Sequence, residues 1–264
     1  VNGAETVLAL VLLEWTVGWV GVAAWTQSWK VIRRGHFRIT GYIVAALGVL
    51  TVLAARGAGF GFSSEADRQK GALIVLAALC FGYLAMQFVT SDLPATIAGG
   101  AAAAIGAVAL VLTGGLIAGW PSAFAALELL AGSALLGSVT NGMMLGHWYL
   151  NQPGLKPEAL ARLTRLALVA GIATGVLGLV AVGRLSDATT EGAVLGLPGF
   201  GESFGLIFYG VWLTLLAFTG LAVWGARRCI KIRSIQSATG LYYVALLTAG
   251  VSEFLVRYLM VNVT

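Results

Sequence analysis

Four ionisable residues stand inside long apolar stretches of this sequence: Glu14, Glu128, Glu253 and Arg257. A charged side chain in hydrocarbon is costly, and such residues commonly mark proton relays or substrate paths. Glu253 and Arg257 are four positions apart, which puts them on one face of a helix. Glu128 follows Pro121 by seven positions, about 10 Å along a helix. Glu253 lies a similar distance from the end of its own stretch, and Glu14 at middle depth. A carboxyl group withdrawn from water favours its neutral form, which suits it to take up and release protons. The residues admit two readings: structural ion pairs, or a proton-handling cavity in the outer half of a membrane.

Two further sets could support such chemistry. His36 and His147 are the two histidines of the chain. They fall at corresponding ends of two apolar stretches, His36 in a basic loop and His147 closing its helix. They could pack at the interface, take up protons, or ligate a single haem b between helices. Thr26, Gln27, Thr140 and Asn141 lie deeper toward the same side, as polar steps of a proton path or as interhelical hydrogen bonds. Trp15, Trp19 and Trp25 crowd one stretch, where they either line a pocket for a flat ring or pack in the core.

Several chemistries are excluded. No lysine falls within an apolar span, so a retinal Schiff base has no attachment point. No Walker A, CxxC, HExxH or GxSxG pattern occurs, and no metal site is expected. The two cysteines, Cys80 in an apolar run and Cys229 in a basic loop, read as free thiols.

The elements that must position these groups follow from composition. Of 264 residues, 59% are hydrophobic and 10% charged, and the mean hydropathy is +0.91. Soluble domains carry about 25% charge, so an all-α polytopic membrane protein is expected. Eight stretches are long enough to cross a bilayer: 4–27, 39–56, 71–91, 94–118, 122–148, 160–183, 203–226 and 238–261. The first carries Glu5 and Glu14 and no basic flank, which does not read as a cleavable signal. Turn chemistry separates the stretches at Gly57 to Gly61, Asp92 to Pro94, Gly119 to Pro121, Pro153 with Pro157, and Gly192 to Gly201.

Eleven of the sixteen Lys and Arg residues fall in three loops on one side. They are Lys30, Arg33, Arg34 and Arg38; Lys156, Arg162 and Arg165; and Arg227, Arg228, Lys231 and Arg233. The other side carries Arg56, Arg68, Lys70 and Arg184, diluted by Glu65, Asp67, Asp187, Glu191 and Glu202. The positive-inside rule then predicts cytoplasmic basic loops and both termini outside, in a bacterial inner membrane. The net charge of +5 reads as topology setting and contact with membrane lipids, with no nucleic acid as partner.

A duplication is visible. Glu14, Gly18, Thr26 and Gln27 recur at the same spacing as Glu128, Gly132, Thr140 and Asn141. Gly35-His36-Phe37 is echoed by Gly146-His147-Trp148, and Arg38-Ile39-Thr40 by Arg162-Leu163-Thr164. The chain thus reads as two four-helix units, 1–118 and 119–264, in the same orientation. Small residues at Gly99, Ala103 and Gly106, and at Gly171 and Gly175, predict close helix approach.

The tail from Ser252 through Glu253, Arg257 and Tyr258 resembles the Glu-x3-Arg-aromatic ending of the membrane-anchor subunits of DMSO-reductase-type and polysulfide-reductase-type enzymes. Eight spans with both termini outside agree with that family. No histidine lies near Glu5 or Glu14, where the family has a His-Glu pair, so only Glu253 and Arg257 carry over. The resemblance implies a subunit that binds a quinone (menaquinone or ubiquinone) and holds no metal. It implies an iron–sulfur subunit and a catalytic subunit as partners on the outer face. Glu14, Glu128 and Glu253 would then move protons, and Arg257, Trp15, Trp19 and Tyr258 would border the ring. Two other functions suit the same sequence: a proton-coupled transporter of small solutes, and a scaffold subunit of a respiratory or photosynthetic complex.

Overall fold

The computed structural model describes residues 3–59, 67–152, 154–188 and 203–262. Glu65, Glu191, Glu202, Pro153 and the Gly192 to Gly201 stretch lie outside them. The described residues form eight helices: α1 (Ala4–Ser28), α2 (Arg34–Gly57), α3 (Asp67–Met86), α4 (Leu93–Gly114), α5 (Ser122–Trp148), α6 (Glu158–Ala188), α7 (Ser203–Lys231) and α8 (Ile235–Asn262). No strand occurs among the described residues. All eight helices are long and apolar enough to cross a membrane, and the chain is a multi-pass membrane protein. Hydrocarbon offers no partner to a free backbone amide, so each crossing closes its hydrogen bonds within a helix.

Turn residues fall where the helices stop. Gly119 adopts φ 76° just before Pro121, whose fixed φ directs the chain into α5. Pro94 sits in the first turn of α4, where its missing N–H costs nothing. Several helices begin or end beyond the apolar stretches. α2 starts at Arg34, so His36 and Arg38 are in its opening turns rather than in a loop. Arg227, Arg228, Cys229 and Lys231 likewise ride on the end of α7, and Lys70 on the first turns of α3. Hydropathy misses these turns because snorkelling cations hide helical residues from it.

Each half closes on itself. α1 packs on α2 and α4, and α3 on α2 and α4; α5 packs on α6 and α8, and α7 on α6 and α8. The halves meet through α1 with α5, α4 with α5, and α1 with α8. Exchanging each helix for the one four places on leaves this neighbour pattern unchanged. α1 and α5 are the central pair, with 78% and 67% of their spans buried against at most 50% for any other helix. Their crossing is close because it is built on glycine. A Cβ on Gly18 would fall on the Ser133 carbonyl, and one on Gly137 would fall on the backbone of Gly18.

Buried polar side chains are paired between helices. Gln27 of α1 and Gln87, just past α3, exchange two amide hydrogen bonds of 3.0 Å, both residues being buried. Gln27→Leu alone should cost about 1–3 kcal/mol, because it leaves the Gln87 amide unsatisfied. The double change to leucine should recover most of that loss, as read by thermal unfolding in detergent.

Candidate functional site

Glu14 enters from α1, Glu128 from α5, and Glu253 with Arg257 from α8, and the four side chains meet. None is more than 1% exposed. The Arg257 guanidinium is the hub. Its Nε donates to Glu14 Oε1 at 2.8 Å. Its Nη1 donates to Glu128 Oε2 at 3.2 Å. Its Nη2 donates to Glu253 Oε2 at 3.0 Å and to the main-chain carbonyl of Glu128 at 2.8 Å. The planar fork of arginine allows one cation to hold partners on three helices, which a lysine ammonium could not match.

Topology explains the depth. Glu128 is six residues into α5 and Arg257 five residues from the end of α8, each within about 10 Å of its terminus at the helical rise. α1 and α5 start at the end of the bundle where α8 finishes, remote from the three basic clusters. Gly132, one turn after Glu128, leaves the space. A Cβ there would sit 2.5 Å from Glu253 Oε2, 2.6 Å from Arg257 Nη2 and 2.8 Å from Glu14 Oε1.

Three oxygens of the cluster are buried with no hydrogen-bond partner among the described residues: Glu14 Oε2, Glu128 Oε1 and Glu253 Oε1. Beside Glu128 and Arg257 lies a cavity of about 10 Å³, walled also by Trp120, Trp212 and Met260. That is room for roughly one water. Trp120 Nε1 donates to the Met260 carbonyl at 2.9 Å and pins this wall. Trp212 is buried, and its indole N–H has no partner among the described residues. The cavity is thus walled by two of the residues that carry an unpartnered polar atom, Glu128 and Trp212.

The remaining candidates are dispersed. Trp15 and Trp19 stack with centroids 6.5 Å apart, and Trp15 Nε1 donates to Thr140 at 2.8 Å. Trp25 is 43% exposed. Tyr258 is half-buried against Phe208. Thr26 bonds the Ala23 carbonyl, and Gln27 is occupied by Gln87. Asn141 donates to the carbonyls of Trp19 and Gly137. Among the described residues no hydrogen bond links these four polar side chains to the acids. His36 is buried with its ring 5.7 Å from that of Trp148, whereas His147 is exposed.

Sequence reasoning missed Gly132 as the floor of the cluster and Trp212 as a wall. The Glu-x3-Gly repeat pointed to Gly132, but nothing in it named the side chains that fill the gap. Trp212 carries no sequence signal beyond its type. No protein-family model, curated protein or solved structure matches this chain.

Proposed function

We propose that this chain is the membrane anchor of a quinone-linked redox complex, and that its part in the reaction is to hold and pass protons. The reading rests on one observation: three buried carboxyl groups share one guanidinium, and each keeps an unpartnered oxygen. One guanidinium balances one carboxylate. Uncompensated charge in so apolar a place is expensive, so the neutral cluster carries two protons on its remaining acids. Quinol oxidation releases two protons with two electrons, and a nearby carboxylate serves as base.

The quinone ring does not fit inside the cluster, where the adjoining space holds one water. The ring therefore belongs outside it, and the acids act on protons alone. Arg257 fixes the three carboxyl groups within reach of one another. Glu128, which borders the cavity, is the exit or entry point for a proton. Met260 and the two tryptophans keep bulk water out. In this reading the basic clusters face the cytoplasm of a bacterial inner membrane and both termini face outward. An iron–sulfur subunit, with its catalytic subunit, docks over the end that holds the acids.

Glu253→Gln keeps the shape and a hydrogen bond to Arg257 while removing a titratable group. In native membranes it should slow quinol-dependent electron transfer about tenfold or more, at the lower end of a general base's contribution, with assembly intact. Unchanged turnover in a normally assembled complex would overturn the reading.

A further inference from the structure

We propose a binding site for an anionic phospholipid at the basic end of the bundle, between the end of α1 and the start of α6. Two grooves meet there at Arg162. One, of about 660 Å³, opens between the α1–α2 and α5–α6 loops, with Trp29, Gln152, Lys156 and Glu158 among its walls. The other, of about 390 Å³, runs down the outside of α6 past Arg165, Leu166 and Val169, with Trp25 opposite. Val169 is 65% exposed on a membrane helix, so this second groove faces lipid.

The polar mouth is held rigidly. Gln152 of the α5–α6 loop accepts from the Arg33 amide at 2.9 Å and donates to the Val31 carbonyl at 2.9 Å. Trp148 Nε1 donates to the same Gln152 at 3.0 Å. Tyr149 donates to the Lys156 carbonyl at 2.7 Å, and burial pushes its pKa up to about 12, so this donor persists at neutral pH. Two loops distant in sequence are thereby locked into one frame.

The charges are set for an anion. Arg162 lies over the Trp29 ring, 5.1 Å from its centroid, and Trp29 is braced edge-on by Trp25 at 4.7 Å. The stack engages the face of the guanidinium, and its N–H fork has no acceptor among the described residues. Arg165 turns back along α6, its Nε 3.5 Å from the Ala161 carbonyl, which brings its charge toward the same mouth. With Lys156 this gives three cations against one acid, Glu158. A fork of donors suits phosphate oxygens, and the apolar groove below suits an acyl chain. A head group and a tail are accommodated in line, which a free anion would not need.

The test uses the full chain in detergent, with melting followed as phosphatidylglycerol, phosphatidylcholine or inorganic phosphate is added. Phosphatidylglycerol should raise the melting temperature, and the other two should not. Arg162→Ala with Arg165→Ala should raise the half-saturating lipid concentration by about tenfold or more. Arg227→Ala with Arg228→Ala removes as much charge from the same end and should change it by less than about twofold. Both α6 arginines are exposed, so the variant should melt normally without lipid. Native mass spectrometry supplies a count of retained lipid that does not depend on melting. Equal effects of the two lipids, a phosphate effect as large as the lipid's, or an unchanged response in the α6 variant would overturn the site.

Discussion

Arg257→Leu should be the most damaging single side-chain truncation in the protein. It removes the only cation among Glu14, Glu128 and Glu253 and also frees the main-chain carbonyl of Glu128. Breaking a buried ion pair by deleting one partner costs about 3–5 kcal/mol. In the two-proton state one carboxylate loses its counter-charge, and two neutral acids and the Glu128 carbonyl lose a donor as well, so the upper part of that range applies. Arg257→Lys should recover little. An ammonium is a point charge on a flexible stem and cannot repeat the planar fork that reaches three helices.

A companion variant separates stability from function. Glu14→Leu, Glu128→Leu and Glu253→Leu combined with Arg257→Met removes the whole cluster at similar volume. Buried ion clusters replaced by apolar groups are often neutral or more stable. The fourfold variant should therefore unfold at or above the wild-type temperature while proton-linked turnover is lost. Recovered stability with retained turnover would assign the four residues a purely structural part. Infrared bands of protonated carboxyl groups, present in the wild type and absent from the variant, would test the two-proton state directly.

The four ionisable residues were legible because nothing apolar surrounds a charge without reason. Their convergence needed topology as well. Eight spans of alternating direction bring the start of α1, the start of α5 and the end of α8 to one end of the bundle, and sequence alone yields that ordering. Which helices touch was not legible. Where α1 meets α4, the glycines lie on α4, and Gly99 and Gly106 receive Ala24 and Val17. Where α5 meets α8, they lie on α5, and Gly132, Gly142 and Gly146 receive side chains of α8. Each half uses the same kind of helix pair, α1 with α4 and α5 with α8, but the notched member has switched, so matching motifs on α1 and α5 do not say which helix carries the small face.

The histidines show the same limit. Their motifs match, yet α2 begins early enough to turn His36 inward against Trp148, while His147 ends α5 facing out. Spacing fixes the position of a residue on its helix, but the neighbouring helix decides whether that face is buried. Gln27 and Asn141 also occupy matching positions. One pairs with a side chain beyond α3 and the other with the backbone of α1, because the first has a polar residue opposite and the second a bare glycine crossing.

That crossing carries the second large effect. Gly18→Ala should destabilise the chain by about 3 kcal/mol or more, at and beyond the upper range for overpacking. The new methyl group would meet the Ser133 carbonyl and lie 3.0 Å from the Gly137 amide nitrogen. Both are backbone atoms of a helix, and no rotamer change can move them aside. α1 and α5 would have to separate, and the acids at Glu14 and Glu128 would part with them. Gly137→Ala should act alike, since its Cβ falls on the backbone of Gly18. Gly100→Ala and Gly250→Ala are the controls, because nothing lies within 4 Å of a Cβ at either position. Alanine is the better helix former by about 1 kcal/mol, so these two should be neutral or slightly stabilising. Melting in detergent should therefore sort four chemically identical substitutions into two groups of opposite sign. If the core pair and the controls melted together, α1 and α5 would not be in backbone contact, and the acids could not share one guanidinium.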